Sequence, residues 1–292
     1  MKTLGLDLGG TKIAAAVVEE GSILSYKKVS TPQGGYDAVV KALSTTAQAL
    51  LDEHPEVTSI GIGSPGPLDL NEGVVLFAPN IPGMTDAPLV KSLQKELDLK
   101  VVLENDANAA GYAEHLYGAA RDFDDSVYIT ISTGIGGGLF VGDTVIHGES
   151  GVAGEVGHTT LLPGGPLCGC GHNGCWEALA SGRAIARDAT FSYGEPLTTR
   201  DVFERAQQGE SKAVAVIDKA AYFTGIGLAN LLKIFNPDGF VIGGGMSQVG
   251  AFYLDKIQAA ADEFARGFAP VNIRVAELGT DAGVIGAAAV AL

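Results

Sequence analysis

The chain opens on three apolar runs separated by two tight turns. "TLGLDLG", "KIAAAVVE" and "SILSYKKVST" read as a strand meander over residues 3–31, reversing at Gly9-Gly10 and at Glu20-Gly21. "YDAVVKALSTTAQALLDEH" (36–54) spaces its apolar residues as a helix does. "VTSIGIGSPGP" reads as a buried strand ending in a Gly/Pro loop, and "KVVLEND" (100–106) as a strand running into a polar tip. A helix follows in "ANAAGYAEHLYG", with Asn105 or Asp106 placed to cap it.

A second meander starts at "DSVYITISTGIGGGLFVGDTVIHG" (125–148) and repeats the design of the first. One such loop is more often just a hairpin. Two of them, opening successive halves, indicate a duplicated α/β unit with a nucleotide between the halves. Helices dominate from 177: "ALASGRAIARDAT", "TTRDVFERAQQG" and a long apolar one over 211–235. "NPDGFVIGGGMS" predicts a strand and a glycine turn, followed by a helix from 247; "NIRVAEL" is a last strand and "DAGVIGAAAVAL" a small-residue helix. The fold class is therefore α/β. No flexible linker intervenes, so packed elements cross the expected boundary around 105–120 and near 280. The expected division is a smaller domain of residues 1–110 plus 280–292 and a larger one of 111–279.

Composition narrows the function. Hydrophobic residues at 46% and charged residues at 18% describe a compact globule. Nineteen basic against thirty-four acidic residues give −15, which argues against a nucleic-acid or anionic-membrane surface. It leaves nucleotides open, because backbone N–H groups and a metal ion can hold phosphates. No apolar run approaches the roughly eighteen residues that cross a bilayer. "MKTLGLDLGG" turns polar before a signal-peptide core could form, so the expected compartment is the cytoplasm.

The glycines, 41 in all, cluster in turns. In "DLGGTK", Gly9 and Gly10 let backbone N–H groups approach an anion, Thr11 offers a hydroxyl and Lys12 a charge. Asp7 closes an otherwise apolar strand, as a Mg²⁺ partner or as a turn cap. "STGIGGG", with Thr133, Gly134, Gly136 and Gly137, is a second such turn; "GGGMS", with Gly244 and Gly245, is a third. None is a Walker A or Rossmann motif. Asp106 in "END" is either a helix cap or a carboxylate able to take a proton from a hydroxyl.

All three cysteines, Cys168, Cys170 and Cys175, lie in "GHTTLLPGGPLCGCGHNGCWE", with His158 ten residues before the first. Together they make the donor count of a closed Cys₃His zinc site. A redox pair is the alternative; the strained C-x-C spacing, the odd count and a reducing compartment weigh against it. Glu155 and Glu177 flank the ligands, so a metal here would also fix two carboxylates. His172 is spare in this scheme. His54, His115 and His147 are expected at the surface or at helix ends, and Trp176 is expected to pack the loop.

"DLGGTK", "GIGSPGP", "APNIPG", "ENDANAA", "STGIGGG", "GEVGH" and "CGCGHNGCWE", in that order, resemble the ROK family of sugar kinases and regulators, most closely its bacterial glucokinase branch. The resemblance covers essentially the whole chain. It implies the actin-like ATPase fold, two RNase-H-like domains closing a cleft over ATP and a sugar. It also implies Asp106 as catalytic base, sugar contacts from Asn80, Asn105, Glu155, His158 and Glu177, a structural zinc, and a homodimer or homotetramer. Family glucokinases often carry an aromatic where Met84 stands, beside the sugar. The implied activity is ATP-dependent phosphorylation of glucose to glucose 6-phosphate. Kinases of N-acetylmannosamine, N-acetylglucosamine or fructose are the alternatives. A sugar-responsive repressor of the same family would carry a DNA-binding segment before the first strand. With "DLGGTK" at residue 7, none is expected.

Overall fold

The structure is a computed structural model and describes residues 1–292. The first meander is β1 (Lys2–Leu8), β2 (Lys12–Glu19) and β3 (Ser22–Ser30), antiparallel throughout, with Leu6 opposite Ala15. α1 (Tyr36–Leu51) leads to β4 (Ser59–Ser64), parallel to β1. A small antiparallel sheet then forms from β5 (Leu68–Asp69), β6 (Val74–Phe77) and β7 (Thr85–Ala87). α2 (Leu89–Leu97) follows, then β8 (Lys100–Asn105), parallel to β4, and α3 (Asp106–Tyr117). The main sheet runs β3-β2-β1-β4-β8. Its alternate side chains Leu4, Leu6, Leu8, Ile60 and Ile62 are fully buried in one core with Leu43 and Leu50 of α1. Met84 is also in that core, 1% exposed, so it makes no wall for a sugar.

The second meander is β9 (Asp125–Ile131), β10 (Ile135–Val141) and the short β11 (Thr144–Val145). α4 (Trp176–Ala180) and α5 (Gly182–Tyr193) replace the single helix expected from 177. Ser181 ends the first in extended backbone and caps the second by accepting the N–H of Ala184. α6 (Thr199–Gln207) starts in a Thr198/Asp201 capping box, and α7 (Ser211–Phe235) is the long apolar helix. β12 (Gly239–Gly243) is parallel to β9 and to β13 (Ile273–Val275). The helix expected from 247 begins later, as α8 (Ala251–Ala265). Gly244 and Gly250, at φ 82° and 76°, bracket a 3-10 turn first. α9 (Ala282–Ala289) closes the fold. The sheet order β11-β10-β9-β12-β13 repeats that of the first sheet.

The chain divides into two compact units: Met1–Asp122 with Gly138–Ala153 and Glu277–Leu292, and Phe123–Gly137 with Gly154–Ala276. The divisions expected at 110 and 280 thus fall at 122 and 277, and residues 138–153 join the first unit. The reason is packing: α3 lies against α9, where Gly286 leaves no room for a Cβ beside the Ala109 carbonyl. α9 in turn lies on β1 and β4, whose Gly5 and Gly61 face the Val284 and Ala287 carbonyls. In the second unit, Gly225 lets α7 approach α8, and Gly227 lies flat against the fully buried Trp176 ring. No helix is long and apolar enough to cross a membrane.

Candidate active site

In the first unit, β8 delivers Glu104 and Asn105 to the start of α3. The cap is Asn105, whose Oδ1 accepts the N–H groups of Ala107 at 2.9 Å and Asn108 at 3.2 Å. That leaves Asp106 at the first helical position, exposed, with Oδ1 2.8 Å from the Ala107 nitrogen. Asp7 stands near it. Burial, and then the Asp106 carboxylate, push the Asp7 pKa up to about 6, against the pull of Lys12. Two carboxylates that repel each other in a half-buried setting are a donor set suited to a hard cation. The turn Gly9-Gly10 is tied by the Gly9 N–H to Lys12 O at 3.0 Å and by Thr31 Oγ1 donating to Gly9 O at 2.6 Å. Thr11 and Lys12 are exposed at its tip. Gly10 lies against Asn80, whose carbonyl would be 2.9 Å from an added Cβ. The predicted sugar loop and phosphate turn therefore meet in this unit.

Glu104 was not foreseen as a site residue. It is 3% exposed and lies 2.6 Å from Nε2 of His147, which is therefore no idle surface histidine. The carboxyl raises the His147 pKa, partly offset by burial. His115 is likewise internal: it is 4% exposed, stacks on Phe140 at 5.3 Å and meets the Gly142 carbonyl through Nε2 at 2.8 Å.

In the second unit, the turn after β9 closes with the Ser132 N–H on Gly134 O at 2.9 Å. Glu177 Oε2 accepts the Ile135 N–H at 3.1 Å, and a Cβ on Gly134 would strike that oxygen. Thr133 and Gly134 reach the surface, whereas Gly137 is buried against Tyr128 O and Val156. Gly244 packs on Ile131, and Gly245 is open. Beside Thr133 and Gly245 lies a cavity of about 730 Å³, lined among others by Arg183, Leu197, Phe203, Met246 and Val249. An apolar slot bordered by two glycine turns and a guanidinium suits a flat base carrying phosphates. Sequence reading missed the four apolar residues among these, because in one dimension an apolar side chain lining a cavity looks like a core residue.

The four nitrogen and sulphur donors foreseen in the cysteine loop do come together. Ligand atoms of His158, Cys168, Cys170 and Cys175 all lie within 4.8 Å of one another. Cys168 Sγ is 3.6 Å from His158 Nδ1, and Cys170 Sγ is 3.6 Å from Cys175 Sγ. A tetrahedral ion with bonds of about 2.3 Å sets its ligands about 3.7 Å apart, so the donor set fits zinc. All three thiols are free. The loop is held by the Cys168 N–H to His172 O at 2.8 Å and by Gly174 at φ 74°, where no Cβ fits beside Leu162 O. His172 Nδ1, 3.7 Å from Cys170 Sγ, lies nearer the cluster than its spare role implied. The other face of His158 looks to Glu155, with Nε2 3.8 Å from Oε2. Glu155 is exposed and Glu177 half-buried, so both present carboxylate oxygens beside the metal donors.

Two copies of one sheet design, each with a glycine turn after its first strand, make the α/β architecture of the actin-like ATPase fold. The chain belongs to the ROK family, which it matches over residues 3–292. It is 40% identical to a glucokinase of Streptomyces coelicolor, over 98% of this chain and 96% of that one. A ROK hexokinase of Thermus thermophilus superposes with a TM-score of 0.95 at 47% identity, covering 100% and 98% of the two chains. A Streptomyces griseus glucokinase solved with glucose and AMPPNP gives 0.84 at 39% identity, covering 100% and 99%. An N-acetylmannosamine kinase of Haemophilus influenzae is 35% identical, over 99% of this chain and 94% of that one.

Proposed function

We propose that this hexokinase-type sugar kinase phosphorylates glucose at its 6-hydroxyl from ATP, with Asp106 as the general base. The observation that carries the reading is the placement of Asp106: exposed, at the first turn of α3, with Asn105 beside it as cap. The 6-hydroxyl oxygen attacks the γ-phosphorus, the bond to the β,γ-bridging oxygen breaks, and ADP leaves with that electron pair. The hydroxyl proton passes to Asp106. A loose transition state makes modest demands on the base, so positioning and charge neutralisation do most of the work.

The glucokinase solved with glucose and AMPPNP supports ATP as donor. In this reading the base stacks in the cavity of Leu197, Phe203, Met246 and Val249, with the phosphates running toward Thr133, Gly134 and Gly245. The "DLGGTK" turn of the first unit offers phosphate oxygens its backbone N–H groups and the Lys12 charge. Mg²⁺, when bound, neutralises phosphate charge, and Asp7 is the residue to hold its waters. Asn80, Asn105, Glu155, His158 and Glu177 take the sugar hydroxyls. His158, Cys168, Cys170 and Cys175 would together hold a structural zinc, which would fix the loop that carries both glutamates.

A coupled assay of ADP release over glucose, fructose, mannose and the N-acetylhexosamines tests this. Glucose should give the highest kcat/KM. N-acetylmannosamine is the second reading, favoured by the H. influenzae relative, and a preference for it would replace glucose as the substrate.

A further inference from the structure

Glu104 is buried, yet both its oxygens are engaged. Oε1 accepts the Asn105 N–H at 2.8 Å and Nδ2 of Asn108 at 2.9 Å, and Oε2 meets His147 Nε2 at 2.6 Å. Removing a carboxylate from water is costly unless donors surround it, so this arrangement has to serve a purpose. Two of the donors, on residues 105 and 108, bracket Asp106. The backbone on either side of the base is thus anchored to one side chain.

Asn108 shows the cost. Turning its amide to give Nδ2 to Glu104 leaves its Oδ1 buried without a partner. An orphaned acceptor costs about 1–3 kcal/mol. Such defects persist where placement matters more than stability.

His147 brings in a second segment. Its carbonyl accepts the Ala153 N–H at 3.0 Å, which closes a turn over 147–153, and the chain then runs on through Gly154 to Glu155. We propose that Glu104 and His147 are positioning residues for phosphoryl transfer: they fix the backbone carrying Asn105 and Asp106 and tie to it the turn that leads to Glu155. The proposal rests on the reading of Asp106 as general base.

Steady-state kinetics with glucose and MgATP test it on His147→Ala and His147→Gln, each alone and combined with Asp106→Asn. The His147 side chain is 37% exposed, so these variants should fold where a change at Glu104 risks the core. A misplacement of about 1 Å can cost ~10² in rate, so His147→Ala should lower kcat by roughly 10- to 100-fold. The KM for ATP should hold within ~2-fold, and Gln, which keeps a donor, should restore most of kcat. Combined with Asp106→Asn the same change should cost less than ~2-fold, because no base remains to be positioned. An active wild type with an unaltered His147→Ala variant would overturn the positioning alone, as would equal losses in both backgrounds. A wild type inactive on every hexose would overturn the kinase reading itself.

Discussion

Glu177 Oε2 accepts the backbone N–H of Ile135 at 3.1 Å, and Oε1 of the same carboxylate lies 3.9 Å from the Cys168 sulphur. One side chain therefore spans from the metal donors to the glycine turn after β9. The two features are 42 residues apart at this bond and look independent along the chain. Within the second unit they form one mechanical piece.

Glu177→Ala should expose that coupling. It leaves the buried Ile135 N–H without its acceptor, a loss of about 1–3 kcal/mol. At ~1.4 kcal/mol per decade, nucleotide affinity measured calorimetrically without sugar should fall ~5- to 140-fold, along with sugar affinity. Unchanged nucleotide binding would mean that the turn holds its shape unaided.

Metal removal should act the same way. Atomic emission should find about one zinc per chain, and Cys170→Ser should lose it. The loop carrying Glu155 and Glu177 would then wander by more than the ~0.5 Å that a working site tolerates, and sugar affinity and kcat should drop together. Nucleotide affinity should weaken as well, through Glu177. A metal-free wild type with full activity would refute the assignment.

Asp106→Asn should lower kcat by roughly 10²–10⁴ while both affinities stay within a few-fold. Retention of a tenth or more of wild-type kcat would remove Asp106 from the base role.

Gly286→Ala should invert the usual ranking of helix formers. In an open helix the change is worth about 1 kcal/mol of stabilisation. Here the new Cβ would overlap the Ala109 carbonyl on α3, and the atoms it meets there are all backbone. Overpacking of this kind costs about 1–3 kcal/mol or more, so the variant should melt several degrees lower. A higher melting temperature would show that α3 and α9 can separate freely.

The Glu104–His147 pair should appear in stability against pH. The folded-state pKa of His147 lies above its ordinary 6.5. Its contribution is therefore complete below that value and lost as pH rises through the raised one. The margin in melting temperature of wild type over His147→Gln, whose side chain does not titrate, should shrink from pH 6 to pH 9. A constant margin would mean that the pair has no ionic component.

What the sequence revealed and what it hid divide along one line. The two meanders were legible because all their strands but β11 run seven to nine residues, long enough to show an apolar face, and turn at glycines. The cysteine loop was legible because its ligands are neighbours in the chain. The sheet over residues 68–87 was not, since strands of two to four residues carry no period. Nor was the link from Glu104 to His147, 43 residues apart, or the cavity of Leu197, Phe203 and Met246. Each of these depends on contacts that only folding creates.

The closing of the first sheet by α9 has a consequence for how the protein is made. Gly5 and Gly61 are shaped to receive a helix that leaves the ribosome only after the entire second unit. The first unit to be synthesised is thus among the last to be completed. Until then its β1–β4 face stays bare and open to other apolar partners. Nascent chains stalled before residue 282 should be bound by chaperones and degraded, whereas the second unit, whose strands and helices are already synthesised, has less to wait for.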